Sequence, residues 1–505
     1  MSTAINSVKL SFSNYVSAFF ASIRGLIIAK ALGPTSYGVW CALNVIITYS
    51  QFSHFGLLYA QTKEVPFYRQ KGNTSKTKAI LENTFTFSIL VSVLVSAVVF
   101  CFGLRALIRK EFLWGSSLLI VAVVCVLDQI YRFYVNFLRA VEEFSLLYKY
   151  LMIFAIVNFI LMACGVIFFK FQGLMLAFFV SYFFVLYYVM FMHKKTLHFN
   201  FDAGLLKELI KIGFPMMVYA LNYLLFTTAD RLIIIWFLDM RSLGFYSFAS
   251  SFTDIAAIFA NGIGFVYFPK IIREYAQREK AEDMQATFLN ITRALTLAAP
   301  VILSVTFAVA MLLITLWYKN YAQAVIPLLF ILMSKYFMVV SCMAGSVLIA
   351  VNAIKSLLKV TFAVFLFSVA LNYSLVMLGF KINAIALSAV ITNIIYAYLT
   401  MYIAQKKMGL GNRSSIGSSF AYFAVLFLQV LAFYLLVGAG YLTMPAPFRM
   451  LFLMFSYPFL AVSYFYLIKK VLKTSFFKEL YQYFKNPTVK APVDIVCAEP
   501  GIGIK

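Results

Sequence analysis

The sequence predicts an all-α polytopic membrane protein of about 14 transmembrane helices, with two parallel six-helix repeats around a central cavity plus two C-terminal helices. Three observations predict it. The 505-residue chain is 63% hydrophobic and only 12% charged, with a mean hydropathy of +0.91, far outside the range of a soluble domain. It holds many apolar runs of about 20 residues, the length that crosses a bilayer. It also reads as a duplication: Leu32-Gly-Pro-Thr-Ser36-Tyr-Gly38-Val-Trp40 returns about 206 residues later as Leu238-Asp-Met-Arg-Ser242-Leu-Gly244-Phe-Tyr246.

The register of that duplication persists. Phe169-Lys170-Phe171-Gln172-Gly173 matches Phe380-Lys381-Ile382-Asn383-Ala384, and His193-Lys194-Lys195 matches Gln405-Lys406-Lys407. In chain order the spans are predicted at 9–31, 38–60, 81–104, 113–138, 147–169, 173–192, 212–238, 243–268, 289–317, 325–350, 357–379, 383–404, 418–441 and 448–469. The first six fall in an N-terminal bundle (1–200), the next six in a second bundle (201–410), and the last two in an addition (411–472). A basic tail (473–505) follows. An even number of spans per repeat makes both repeats enter the membrane in the same direction, the arrangement in which halves are related by an axis along the membrane normal.

The formal net charge of +24 does not indicate nucleic acid, because the 42 Lys and Arg follow the positive-inside rule. With the N-terminus inside, 28 of them fall on the cytoplasmic side, Lys63, Arg69, Lys71, Lys76 and Lys78 in one loop. The other side holds eight: Arg105, Arg109, Lys110, Lys170, Arg241, Lys319, Lys381 and Arg449. Both termini are therefore expected inside. No small-residue cleavage site follows the first apolar run, so it is expected to stay as helix one. The tail carries Pro487, Pro492 and Pro500 with little periodicity and is expected to be loosely ordered beside anionic lipid. The six cysteines lack metal-ligand spacing, and disulfides are not expected.

The non-cytoplasmic loops are short, leaving no extramembrane domain for an active site, so the chain is expected not to be an enzyme and its machinery to lie in the bilayer. A central Arg, Lys or Asp in lipid costs roughly 2.5–3.5 kcal/mol on insertion scales, so each needs a partner or a hydrated cavity. The sequence places Arg24, Asp128, Arg132, Asp230, Arg231, Asp254 and Lys335 inside apolar spans. Several share helical faces. Asn14, Ser17 and Arg24 lie on one face of helix 1, and Asn44, Thr48 and Gln51 on one face of helix 2. Tyr219, Asn222, Tyr223 and Asp230 form a stripe on helix 7, and Ser247, Ser250, Ser251, Asp254 and Asn261 one on helix 8. The repeat offset puts Arg24 opposite Asp230 and Thr48 opposite Asp254. Cavity lining and interhelical hydrogen bonding both produce such stripes. Arg24, Arg132 and Lys335 are the expected cationic members of a substrate cavity, with Asp230, Asp254, Asn44, Thr48, Asn222 and Ser250 as its other walls. Asp128, Asp254 and His54 are candidates for ion coupling, His54 also fitting an interfacial hydrogen-bonding role. Pro300 is expected to kink helix 9.

These residues carry a resemblance. Ala31-Leu-Gly-Pro-Thr-Ser-Tyr-Gly-Val-Trp40, Gly213-Phe-Pro215, and Ala229-Asp-Arg-Leu-Ile-Ile-Ile-Trp-Phe-Leu238 followed by Leu243-Gly-Phe-Tyr-Ser247 resemble the polysaccharide exporters of the MOP superfamily. These are Wzx-type flippases, related to lipid II flippases and MATE multidrug transporters. The resemblance spans roughly residues 5–405. It implies translocation of an undecaprenyl-pyrophosphate-linked oligosaccharide, such as an O-antigen unit, from the cytoplasmic to the periplasmic leaflet of a bacterial inner membrane by alternating access. It also implies neighbouring polysaccharide polymerase and glycosyltransferases as partners. Fourteen spans also resemble the lipid II branch. No ATP-binding loop is evident, so Na+ or H+ coupling, or downstream consumption, is expected to drive movement, with no bound cofactor. An ion-coupled multidrug antiporter is the alternative that Asp128, Asp230 and Asp254 keep open.

Reporter fusions at the C-terminus and within residues 270–288 are expected to report the cytoplasm. A C-terminal reporter on the outside would overturn the count of fourteen.

Overall fold

The computed structural model describes residues 2–192, 198–256, 281–351 and 353–409. Predicted spans 13 and 14, the tail and the 270–280 stretch lie outside them. Among the described residues the chain is all-helical, and it divides into two compact units: Met1–Leu225 with Leu238–Ser247, and Phe226–Phe237 with Phe248–Lys505.

The first unit opens with α1 (Ser2–Ser50), which is two helical arms meeting at Gly33 (φ 73°, ψ 172°). Only glycine takes such a φ without strain, and Pro34 then begins the second arm, where its missing N–H is not needed. The second arm ends earlier than expected. The predicted span 38–60 is interrupted by a 3-10 turn, Gln51–His54, and by two left-handed residues, Phe55 (φ 49°) and Gly56 (φ 90°), before α2 (Leu57–Gln70) starts. Two consecutive left-handed residues break the helical hydrogen-bond ladder, and hydrophobicity gives no sign of that.

Helix α3 (Thr74–Ile108) starts ahead of its apolar run because Asn73 caps it, its Oδ1 accepting from the Lys76 N–H at 2.9 Å. It forms a hairpin with α4 (Phe112–Ala140), Ser96 donating to the Ala122 carbonyl at 2.6 Å. Helix α5 (Phe144–Met192) again consists of two arms, folded at Lys170 (φ 54°, ψ −138°). The arms cross at Gly165 and Gly173, and the buried Asn158 Nδ2 donates to Ser181 Oγ at 2.7 Å. Leu57, Phe133, Phe137, Leu147 and Tyr150 form the core of this unit. The connector to α6 (Ala203–Phe237) is strapped to α3: the N–H groups of His198 and Asn200 donate to Glu82 (3.3 Å) and Thr86 (3.0 Å), and that of Asp202 donates to Asn83.

The second copy of the duplicated motif, up to Ser247, packs within this same unit. Helix α7 (240–256) is capped by Asp239, which accepts from the Ser242 N–H at 2.7 Å. The Ser242 hydroxyl and, after it, that N–H hold the Asp239 carboxyl below its usual range. The two copies meet reciprocally: a Cβ on Gly38 would overlap the Met240 carbonyl, and one on Gly244 would overlap the Pro34 carbonyl. Gly38 and Gly244, like Pro34 and Met240, are equivalent positions of the duplication, so a local two-fold relates the contact. A second backbone crossing joins Gly56 to Gly213.

The second unit contains the last turns of α6, the rest of α7, α8 (Ala281–Leu316), a 3-10 turn Lys319–Ala324, α9 (Val325–Ala350), α10 (Ile354–Met377) and α11 (Ile382–Lys407). Phe226 packs on Val360, Val364 and Tyr396, its ring 4.8 Å from that of Tyr396. Phe248 stacks on Tyr321 at 4.2 Å. The helix Ala281–Leu316 is continuous through position 300.

Large side chains point outward on both units, among them Leu94, Phe168, Phe183, Trp236 and Leu366. Such a continuous apolar exterior suits lipid and not water. Two of the membrane-length segments, Ser13–His54 and Phe144–Val189, are 42 and 46 residues long. At 1.5 Å per residue each is roughly twice the hydrocarbon thickness and crosses twice. The first seven and the ninth to twelfth predicted spans each have a helical counterpart, and the eighth is helical over its described part, 243–256, its remainder with Asn261 lying outside the described residues; the chain is a multi-pass membrane protein.

Overpacking of a close crossing costs about 1–3 kcal/mol, so Gly38→Ala and Gly244→Ala are each expected to lower the melting temperature of the purified protein by several degrees. Gly345, inside α9 with open space around it, is the control: Gly345→Ala is expected to leave melting unchanged or raise it.

Candidate functional site

In the first unit, Arg24 lies in the first arm of α1, half-buried, and among the described residues no carboxylate lies within ion-pairing distance of it. The hydroxyl-bearing rings of Tyr37 and Tyr182 are its electrostatic neighbours. A guanidinium in an apolar helix with only neutral neighbours retains its five donors for a ligand.

Tyr182 connects Arg24 to a second group. Its hydroxyl donates to Asp128 Oδ1 at 2.9 Å, while Arg132 Nε donates to Asp128 Oδ2 at 2.7 Å. Asp128 is 1% exposed, whereas the Arg132 side chain is 38% exposed. The pair is spaced i, i+4 on α4, so the helix itself brings the two charges together. Tyr131, Phe154 and Tyr182 wall it in, with ring centroids 4.4 Å apart for Tyr131–Phe154 and 5.1 Å for Phe154–Tyr182. Asp128 is thus matched on both oxygens by donors. His54 is buried and accepts the Gly56 N–H on Nδ1 at 2.9 Å. That bond requires an unprotonated Nδ1 and helps hold the break between α1 and α2. Asn44 and Thr48 donate to the carbonyls of Trp40 and Asn44, each at 2.8 Å. These bonds engage the Thr48 hydroxyl proton and one of the two Asn44 amide N–H groups within the helix. Asn222 is buried.

In the second unit Lys335 Nζ lies 3.6 Å from Asp254 Oδ1, so these two candidates form an ion pair between α9 and α7. Asp254 is half exposed in that pair. Ser250 is buried one turn earlier, and its carbonyl accepts from Thr253 Oγ1 at 2.8 Å. Asp230, at the end of α6, accepts from Asn372 Nδ2 at 2.9 Å. Asn372 in turn contacts Ser368 at 3.3 Å and accepts from Ser388 Oγ. Asn372, Ser368 and Ser388 are all buried. The sequence reading missed Tyr182 and this α10–α11 group. Ser368 with Asn372 and Ser388 with Thr392 stand at i, i+4 and were detectable as polar pairs in apolar helices. Tyr182 is one of 32 tyrosines and carries no such mark.

Comparison with known proteins agrees with this architecture. No curated protein sequence matches the chain. Among solved structures, the fold is similar to that of the lipid II flippase MurJ in an inward closed conformation, with a TM-score of 0.66 at 13% identity over 92% of this chain and 99% of that one. It is also similar to a MATE-family multidrug resistance transporter of the MOP superfamily, with a TM-score of 0.65 at 13% identity for its inward-facing form, covering 78% of this chain and 94% of that one. For an outward-facing MATE form the TM-score is 0.55 at 13% identity, over 80% and 95% of the two chains. These likenesses concern fold. Residues 27–327, more than half the chain, match the family model described as polysaccharide biosynthesis protein, so the chain belongs to that family, with a fold like those of the lipid II flippase and the MATE transporter.

Proposed function

We propose that the protein flips a polyprenyl-diphosphate-linked oligosaccharide across the bacterial inner membrane, the diphosphate being attracted by Arg24. The observation that supports this reading most is the half-buried Arg24 guanidinium without a carboxylate partner among the described residues. The membrane penalises an unpaired cation, and a doubly charged phosphate headgroup supplies the missing anion through charge-assisted, bidentate hydrogen bonds. Family membership in polysaccharide biosynthesis and a fold like that of a lipid II flippase support a lipid-linked glycan as cargo. The prenyl chain would remain in lipid while the sugars pass through the protein. Polymerase and glycosyltransferases are the partners this reading implies.

A cation gradient is the proposed drive. Asp128 and His54 are already engaged by internal hydrogen bonds, and Asp254 by Lys335. Asp230, a carboxylate inside an apolar span that accepts from the neutral amide of Asn372, is the group we assign to take up Na+ or H+. The same group favours a second reading, a cation-coupled multidrug antiporter of the MATE kind.

Arg24→Ala is expected to abolish glycan export at normal membrane levels, and Arg24→Lys to retain part of it, since an ammonium attracts phosphate without the bidentate fork. Export by the alanine variant at the normal rate would refute the reading, and export of cationic dyes sensitive to Arg24→Ala would favour the antiporter. Asp230→Asn is expected to remove the response of transport to an imposed Na+ or H+ gradient in vesicles while downhill movement persists. A gradient response equal to that of the wild type would exclude Asp230 from coupling.

A further inference from the structure

The seven charges singled out above are divided unequally between the units: Arg24, Asp128 and Arg132 sum to one positive charge in the first, whereas Asp230, Arg231, Asp254 and Lys335 sum to zero in the second. The surplus is concentrated around Tyr182, which has Arg24 and Arg132 as electrostatic neighbours and donates to Asp128. Both Asp128 oxygens are engaged, one with Arg132 Nε at 2.7 Å and the other with Tyr182 at 2.9 Å. Its carboxylate is buried, while the Arg132 side chain is partly exposed. Holding Nε fixes the plane of the guanidinium, and the N–H donors on its far edge remain for a ligand.

Two arginines without a counter-charge would bind a diphosphate strongly in a low-dielectric site, and a carrier must also release its cargo. Resting on the diphosphate reading above, we propose that Asp128 is a positioning residue and internal counter-charge: it orients Arg132 toward the headgroup and holds the affinity down so that release is not slowed. Asp128 is then part of the recognition of the anionic head and not of ion coupling. A residue with a purely structural role would weaken binding when altered, whereas removal of this negative charge strengthens it.

The test is pyrophosphate binding to the purified full-length protein, together with glycan export in cells. Asp128→Asn keeps an oxygen for Arg132 and a polar partner for Tyr182 while removing the charge. At low ionic strength it is expected to bind pyrophosphate about tenfold more tightly. That gain should shrink at high salt, where charge interactions are screened, and the maximal export rate should fall. Unchanged or weaker binding, or a gain indifferent to salt, would overturn the proposal. If Asp128→Asn does not insert, the pair of variants R132Q and D128N/R132Q replaces it. The double variant, which restores the charge balance, is expected to bind pyrophosphate at least tenfold better than R132Q, and equal affinities would overturn the proposal. Arg24→Ala separates the two levels of inference. Lost pyrophosphate binding in R24A with no change in D128N rejects the role of Asp128 alone, whereas wild-type binding in R24A rejects the diphosphate reading and this proposal together.

Discussion

The bilayer's low dielectric is the constraint on which the rest of this structure depends. Every backbone polar group must be satisfied inside its own segment, which leaves helices as the form for these spans, and every charge must find a partner or a ligand. The chain meets the first demand with helices even where it turns, through Asn73 and Asp239 as caps and Gly33 and Gly56 as left-handed corners. It meets the second by pairing Arg132 with Asp128 and Lys335 with Asp254, and by setting the amide of Asn372 against Asp230. Arg24 departs from that pattern: no carboxylate among the described residues pairs with it. A departure that the membrane penalises is where a ligand contributes most.

Close backbone packing does the remaining work. No hydrophobic force draws two helices together in lipid, so their association relies on dispersion contacts, which require small residues at the crossing. The duplicated motif is built for that. Gly38 and Gly244 each accept the carbonyl of the other copy, and the large side chains beside them, Tyr37, Trp40, Phe245 and Tyr246, are buried around the joint. The motif that most clearly marks the duplication in the sequence is therefore a packing element, whereas the charged residues nearby differ between the copies. Arg24 stands where the second copy has Asp230. Duplication preserved the scaffold, and the chemistry of the two halves diverged on it.

Much of this was legible in the sequence, and the boundary is instructive. Span positions followed from hydropathy because burial in lipid is a property of composition over about 20 residues. The break at residues 51–56 did not, since it depends on two left-handed residues and on Gly213 lying against Gly56. The Asp128–Arg132 pair was visible as i, i+4 spacing, yet the two residues read as separate candidates because their common partner, Tyr182, lies on another helix. Lys335 and Asp254 read as separate cavity candidates because the helix of Lys335 holds no acid and Asp254 reaches it from α7.

The sequence by itself determined the class, the duplication, the span positions and the short list of membrane charges, because these depend on residue type and local periodicity. Only the tertiary structure decided which of those charges neutralise one another. Asp128 and Arg132 meet at 2.7 Å within one helix, but Lys335 and Asp254 meet at 3.6 Å between helices remote in the chain, a pairing that no spacing along a single helix can encode.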